Sequence, residues 1–201
     1  MKTLNSNYRP LCKITFPAFS GRQHYMHTFD LANPIMPHGF DDYREKVVEL
    51  CRAAGANESF AHMTVDEKVI EPGMSQRRPR PHVDGCFYPE LKSWGGGGGG
   101  WLHYCNNIST EGPLRRMSVI VASSVAGCKA WRGRFDVMPK EDGDLSHAVL
   151  GEGEIVPANT GYLLSADCIH ESMVFAERTI RSFLRIALPV NFDGFSNERT
   201  N

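Results

Sequence analysis

His82, Asp84 and His170 are the residues whose types and spacing could do chemistry. The first two stand in Arg80-Pro81-His82-Val83-Asp84-Gly85, the third in Ser165-Ala166-Asp167-Cys168-Ile169-His170-Glu171. Residues two apart on a strand point the same way. On a strand, His82 and Asp84 therefore share one face while Val83 turns into the fold. Two imidazoles and one carboxylate can fill one face of an octahedral metal and leave the opposite face open. His170 is remote in sequence and must arrive on a separate strand brought alongside. One such histidine alone reads better as a satisfied core residue. The three together, with Pro81 and Gly85 framing the first pair, favour a metal.

A run rich in arginine follows. Arg181 and Arg185 lie 11 and 15 residues beyond His170. Four apart on a strand, they share a face, and a guanidinium can grip a carboxylate with two parallel hydrogen bonds. In this order (His-x-Asp, a distal His, then an Arg a short strand later) the chain resembles the Fe(II)- and 2-oxoglutarate-dependent dioxygenases, over roughly residues 76–192. The resemblance implies Fe(II) on His82, Asp84 and His170, with 2-oxoglutarate and O2 as cosubstrates. It also implies an arginine on the distal carboxylate of 2-oxoglutarate. Arg185 is favoured, because Ile186-Ala187-Leu188 continue as the apolar end of a core strand. Arg181 is the other candidate: the family often shows Arg-x-Ser, and Arg181-Ser182-Phe183 has the serine displaced by one. Tyr104 matches a strand position that often bonds the same carboxylate, and Asn106 is a weaker candidate on the substrate side. Because Asp84 fills the carboxylate position, the resemblance implies hydroxylation rather than halogenation.

Arg77, Arg78 and Arg80 precede the first histidine, and Arg78-Pro79-Arg80-Pro81 is stiff and extended. Arg78 and Arg80 are candidates for holding a substrate anion at a site entrance, against the blander reading of a solvated loop.

The elements that must position these residues read mainly as β. From about Ala61, short apolar stretches are separated by Gly, Pro, Asn and Asp. Candidate strands are 63–70, 82–88, 101–106, 116–123, 128–131, 135–138, 151–156, 162–165 and 180–188, with an edge strand at 11–16. Asn159-Thr160-Gly161 reads as a turn. The expected fold is a double-stranded β-helix (jelly roll, cupin-like) over 61–192. It follows an N-terminal segment, 1–60, and carries one or two flanking helices. The best helix is 41–54. Asp41 or Asp42 is its expected cap, Tyr43, Val47, Leu50, Cys51 and Ala54 form its stripe, and Gly55 is its stop. Glycines 95–100, between Trp94 and Trp101, read as a mobile connection or a lid near the site.

The length of 201 residues suits one domain, and the net charge of −1 offers no field to recruit nucleic acid or an anionic membrane. Six scattered cysteines without a CxxC pair read as reduced thiols in a cytoplasmic protein. The first residues lack a signal-peptide core, and no apolar run spans a bilayer. No P-loop is present, because the glycine run lacks the following Lys-Ser/Thr.

The expectation is therefore an enzyme that hydroxylates a C–H bond and releases succinate and CO2. Its substrate is a small molecule, amino acid or peptide. Alternatives are a cupin-like metalloenzyme or ligand-binding module without 2-oxoglutarate. A nucleobase substrate would need a basic, aromatic-lined groove. Nothing in the sequence indicates an oligomeric state.

Overall fold

The computed structural model describes residues 3–84, 86–88, 93–95, 117–140, 143–189, 192, 194 and 195. The strands are β1 (Thr3–Ser6), β2 (Tyr8–Lys13), β3 (Gln23–Asp30), β4 (Phe60–Ile70), β5 (Cys86–Tyr88), β6 (Ser93–Gly95) and β7 (Val119–Ser123). They continue with β8 (Cys128–Trp131), β9 (Gly133–Asp136), β10 (Glu154–Val156), β11 (Thr160–Leu164), β12 (Ile169–Ser172) and β13 (Thr179–Ala187). A single α-helix, α1 (Arg44–Ala54), lies between β3 and β4 among the described residues.

A six-stranded sheet runs β2-β11-β7-β13-β4-β3, and a three-stranded sheet runs β10-β8-β12. Every pairing in them is antiparallel. His82 bridges to His170 on β12 and also to Asp144, which widens the small sheet beyond its last strand. From β7 onward the chain passes between the sheets. β7 is in the large one, β8 and β10 in the small one, β11 in the large, β12 in the small and β13 in the large.

The strand period of two sorts the large sheet into two faces. Met63, Val65, Ile120, Ala122, Leu163, Leu184 and Ile186 pack beneath α1. Val119, Val121, Phe183 and Ala187 face the small sheet and meet Cys128 and Ala130 from β8. α1 forms because its apolar residues recur at three- and four-residue steps. Val47, Leu50, Cys51 and Ala54 are buried, as is Tyr43 just before it. Gly55, at φ 83°, ends it in a left-handed cap, its N–H donating to the Arg52 carbonyl.

Four local expectations need correction. Asp41 and Asp42 do not cap α1. They sit in a 3-10 turn, Asp41–Tyr43, and Asp42 instead pairs with Arg22 at 2.8 Å. Residues 82–88 are not one strand: His82 makes single bridges, Asp84 lies in a bend, and only Cys86–Tyr88 pairs, with Ser93–Gly95. The first edge strand begins earlier than 11, at Tyr8, and runs along β11. The N-terminal segment is also part of the sheets, because β2 and β3 are the two edges of the large sheet and β1 pairs with β9. β3 escaped notice because an edge strand is half exposed and lacks clean alternation. A bulge between His24 and His27, with Met26 at φ 56°, interrupts it further.

Candidate metal centre

His82 and His170 exchange both backbone hydrogen bonds, each N–H donating to the other's carbonyl at 3.0 Å. Such a pair holds two residues directly opposite on adjacent strands, with their side chains on one face. The ring centroids lie 4.4 Å apart. Val83 turns the other way, as its position between the two ligands requires, and packs with Trp131, Leu145 and Ile169.

The tautomers follow from the partners. His82 Nδ1 lies 2.6 Å from the Arg80 carbonyl, and His170 Nδ1 lies 3.0 Å from the Cys168 carbonyl. A carbonyl only accepts, so each Nδ1 carries a hydrogen, and in the neutral form of the ring Nε2 is the nitrogen left with the lone pair. Both rings are thus oriented by the backbone two residues earlier. Such outer partners are what aim metal-binding imidazoles.

The Nε2 atoms both turn toward Asp84. His82 Nε2 is 3.6 Å from Oδ1, and His170 Nε2 is 3.6 Å from Oδ2. All three ligand atoms fall within 4.8 Å of one another. Donors bound at right angles to one ion, at roughly 2.0–2.2 Å each, stand about 3 Å apart. The set therefore fits a divalent transition metal with small side-chain adjustments, and its nitrogen–oxygen composition suits such an ion.

Electrostatics favour the ligand forms. Burial pushes His82 down to about 3, reinforced by His170 beside it, so its ring stays neutral. Burial alone would raise the Asp84 carboxyl. The Arg185 guanidinium and the two imidazoles outweigh it and hold the carboxyl well below its usual range. Arg185 Nη2 sits 3.1 Å from Asp84 Oδ2. Its buried Nε has no hydrogen-bond partner among the described residues.

The triad opens on a cavity of about 280 Å³ that also reaches Gln76, Arg181 and Arg185. Arg181, 1% exposed, lies four residues before Arg185 on β13, about 13 Å away at the strand rise. Its Nε donates to Ser123 Oγ at 2.7 Å and its Nη1 to Ser172 Oγ at 3.3 Å. Phe175 and Phe183 lie against the guanidinium. Gly127 makes the space: a Cβ there would stand 2.9 Å from Arg181 Cζ and 2.6 Å from Phe175 Cζ. Among the described residues no carboxylate lies within ion-pair distance of Arg181. Burial pushes its pKa down to about 10, the direction expected of a cation short of counter-charge.

The remaining candidates separate. Arg77 and Arg78 line the cavity, whereas the Arg80 side chain is exposed and only its carbonyl serves the site. Arg77 is committed to Asp66 at 3.4 Å and lies against the rings of Tyr25 and Phe183. Cys128 and Cys168 are buried, and burial raises both thiols, so neither is set up as a thiolate nucleophile. Tyr104, Asn106 and glycines 96–100 lie outside the described residues.

Ser123, Ser172, Gly127 and Gln76 were not foreseen. Their types carry no signal: only the fold brings Gln76 and Ser172 to the cavity wall and Ser123 and Gly127 against Arg181. Ser182, beside Arg181 in sequence, necessarily points to the opposite face; hydroxyls for the guanidinium come from β7 and β12 instead. No known protein family, no curated protein and no solved structure matches this chain.

Proposed function

We propose that this chain is a non-haem Fe(II)- and 2-oxoglutarate-dependent dioxygenase that hydroxylates a C–H bond of an organic substrate. The observation that carries the reading is one cavity that joins a His82–Asp84–His170 ligand set to a buried guanidinium, Arg181, with no anion of its own among the described residues. Two opposed antiparallel sheets, with strands alternating between them from β7 to β13, support a double-stranded β-helix as the scaffold. Fe(II), when bound, supplies the dioxygen chemistry; 2-oxoglutarate, O2 and the C–H substrate become succinate, CO2 and the alcohol.

The side chains divide the remaining work. His82 and His170 present their Nε2 atoms to the metal, with the rings oriented by the carbonyls of Arg80 and Cys168. Arg185 is engaged with Asp84 Oδ2, which leaves Oδ1 as the freer oxygen and keeps the carboxylate from turning. Arg181 is therefore the better anchor for the distal carboxylate of 2-oxoglutarate, the reverse of the preference drawn from sequence. Ser123 and Ser172 fix its orientation, and Phe175 and Phe183 keep water from it. Once such a guanidinium–carboxylate pair is desolvated, losing either partner is costly, because the other is left buried without a counter-charge.

The test is anaerobic titration of the purified protein with Fe(II) and then 2-oxoglutarate, followed by visible absorption. A weak charge-transfer band requiring both additions is expected, and Arg181→Gln should require about a hundredfold more 2-oxoglutarate to reach it. Metal binding with neither a band nor succinate formation would remove 2-oxoglutarate and bring the cupin-like alternative forward.

A further inference from the structure

We propose that the substrate of this site presents a neutral amide N–H to Gln76, and that this contact selects it; the inference rests on the dioxygenase reading. Gln76 is 9% exposed and lines the cavity. Its Nε2 donates to the backbone carbonyl of Asp66. A carbonyl cannot donate, so the amide is oriented and the atom left over is Oε1. That oxygen is buried and has no hydrogen-bond partner among the described residues. A buried acceptor without a donor is costly, and an acceptor in a cavity wall can be satisfied by whatever enters.

The entering donor is not 2-oxoglutarate. As a dianion it carries only acceptors, and its carboxylate belongs on Arg181. Nor does a described residue of the wall supply the donor: the nearby cations Arg77 and Lys68 are engaged with the Asp66 carboxylate at 3.4 and 3.5 Å. The donor therefore comes with the molecule to be oxidised.

Its charge follows from the lining. Arg77, Arg78, Arg181 and Arg185 line the cavity against Asp84 and Glu171. An ammonium would enter a predominantly positive space, whereas a neutral N–H meets no such penalty. A nucleobase also offers neutral N–H groups but needs a ring to stack on. Phe183 is the aromatic residue in the described wall, and the guanidiniums of Arg77 and Arg181 already lie against it. An amide, flat and non-aromatic, suits the wall that remains.

The experiment uses the Fe(II)-loaded protein and reads succinate formed from 2-oxoglutarate. The probes are the N-acetyl, N-methylamide derivatives of the twenty amino acids, each against the analogue with ester oxygen in place of the amide N–H. At least one amide is expected to stimulate succinate formation with kcat/KM about tenfold above its ester, or about 1.4 kcal/mol. Gln76→Met should erase that preference. The 2-oxoglutarate affinity of the variant reports whether the cavity has kept its shape. Equal stimulation by amide and ester, no stimulation by any amide, a preference that survives Gln76→Met, or stimulation by nucleosides instead would each overturn the inference. A protein that binds no 2-oxoglutarate and makes no succinate would sink the dioxygenase reading itself, a result separable from all of these.

Discussion

Along β13 the residues Arg181, Phe183 and Arg185 face the cavity, while Leu184 and Ile186, between and beyond them, pack beneath α1. Both faces are buried. The helix-side face is apolar and closed by contact with Val47, Leu50 and Ala54. The cavity-side face holds two guanidiniums whose partners are unequal. Arg185 has a carboxylate, and Arg181 has two hydroxyls and no described anion. On the proposed reading, one strand thus separates stability from recognition by parity alone: what one face gains by packing, the other leaves for a ligand to supply.

The largest effect that would break this comparison lies at the ligand set. His170→Ala removes one proposed metal ligand but only a part of the packed interior. We expect loss of Co(II) or Fe(II) binding by calorimetry, with the far-ultraviolet circular dichroism little changed. Full metal occupancy in this variant would take His170 out of the triad.

Next come the two arginines. Removing one partner of a buried pair costs roughly 3–5 kcal/mol. Arg181→Gln should therefore weaken 2-oxoglutarate binding by about two orders of magnitude at 1.4 kcal/mol per decade, with metal affinity nearly unchanged. Arg185→Gln should show the converse pattern. Outer partners of metal ligands are worth about 10–100-fold in metal affinity, so the loss should appear in Co(II) titration. If the two variants exchange phenotypes, the roles of the two arginines exchange with them.

On the opposite face, Leu184→Ala leaves a cavity under α1. A loss of about 2–5 kcal/mol in urea unfolding is expected, with Arg181-dependent 2-oxoglutarate affinity retained in the folded protein. A collapse of ligand binding at native temperatures would mean that the two faces are not separable.

The smallest effect concerns pH. His82 is pushed from its ordinary 6.5 down to about 3 by burial and its neighbour His170. Between those values the unfolded chain binds a proton that the folded one refuses. Metal-free stability should therefore rise with pH across this window and be lost as pH falls from 6.5 toward 3, by up to about 1.4 kcal/mol per unit. The Glu67 carboxyl, which burial alone would raise, is held low by hydrogen bonds from Ser20, Tyr43 and Arg22, so its contribution is lost only at lower pH, below its ordinary 4.5. Urea unfolding between pH 5 and 6.5 reads the depressed imidazoles, His24 and His62 as well as His82, and His82→Gln should remove the His82 part of that slope.

Much of this was legible in the residues themselves. The stripe Tyr43, Val47, Leu50, Cys51 and Ala54 is buried, and Gly55 takes the left-handed conformation its position required. Cys128–Trp131 is the strand its apolar run suggested, and Asn159, at φ 52°, turns the chain into β11. These features depend on period, branching and backbone sterics, which act over a few neighbours. His82, Asp84 and His170 were legible for a related reason: ligand chemistry restricts residue type so strongly that the types alone narrow the choice.

Sequence alone thus determined the kind of elements, the face of α1 that is buried and the three residues able to hold a metal. It did not determine which arginine lacks a carboxylate among the described residues. Arg181 and Arg185 share parity, so no local rule distinguishes them. The difference arises because Asp84, through the His82–His170 pair, arrives beside Arg185, while Gly127, Ser123 and Ser172 arrive beside Arg181. Gln76 is a stronger case. An unpaired oxygen is a property of everything around it, and its neighbours Asp66 and Phe183 are set by strand register between β4 and β13. Register is fixed by long-range pairing and by the burial of whole faces, and only the folded chain decides it.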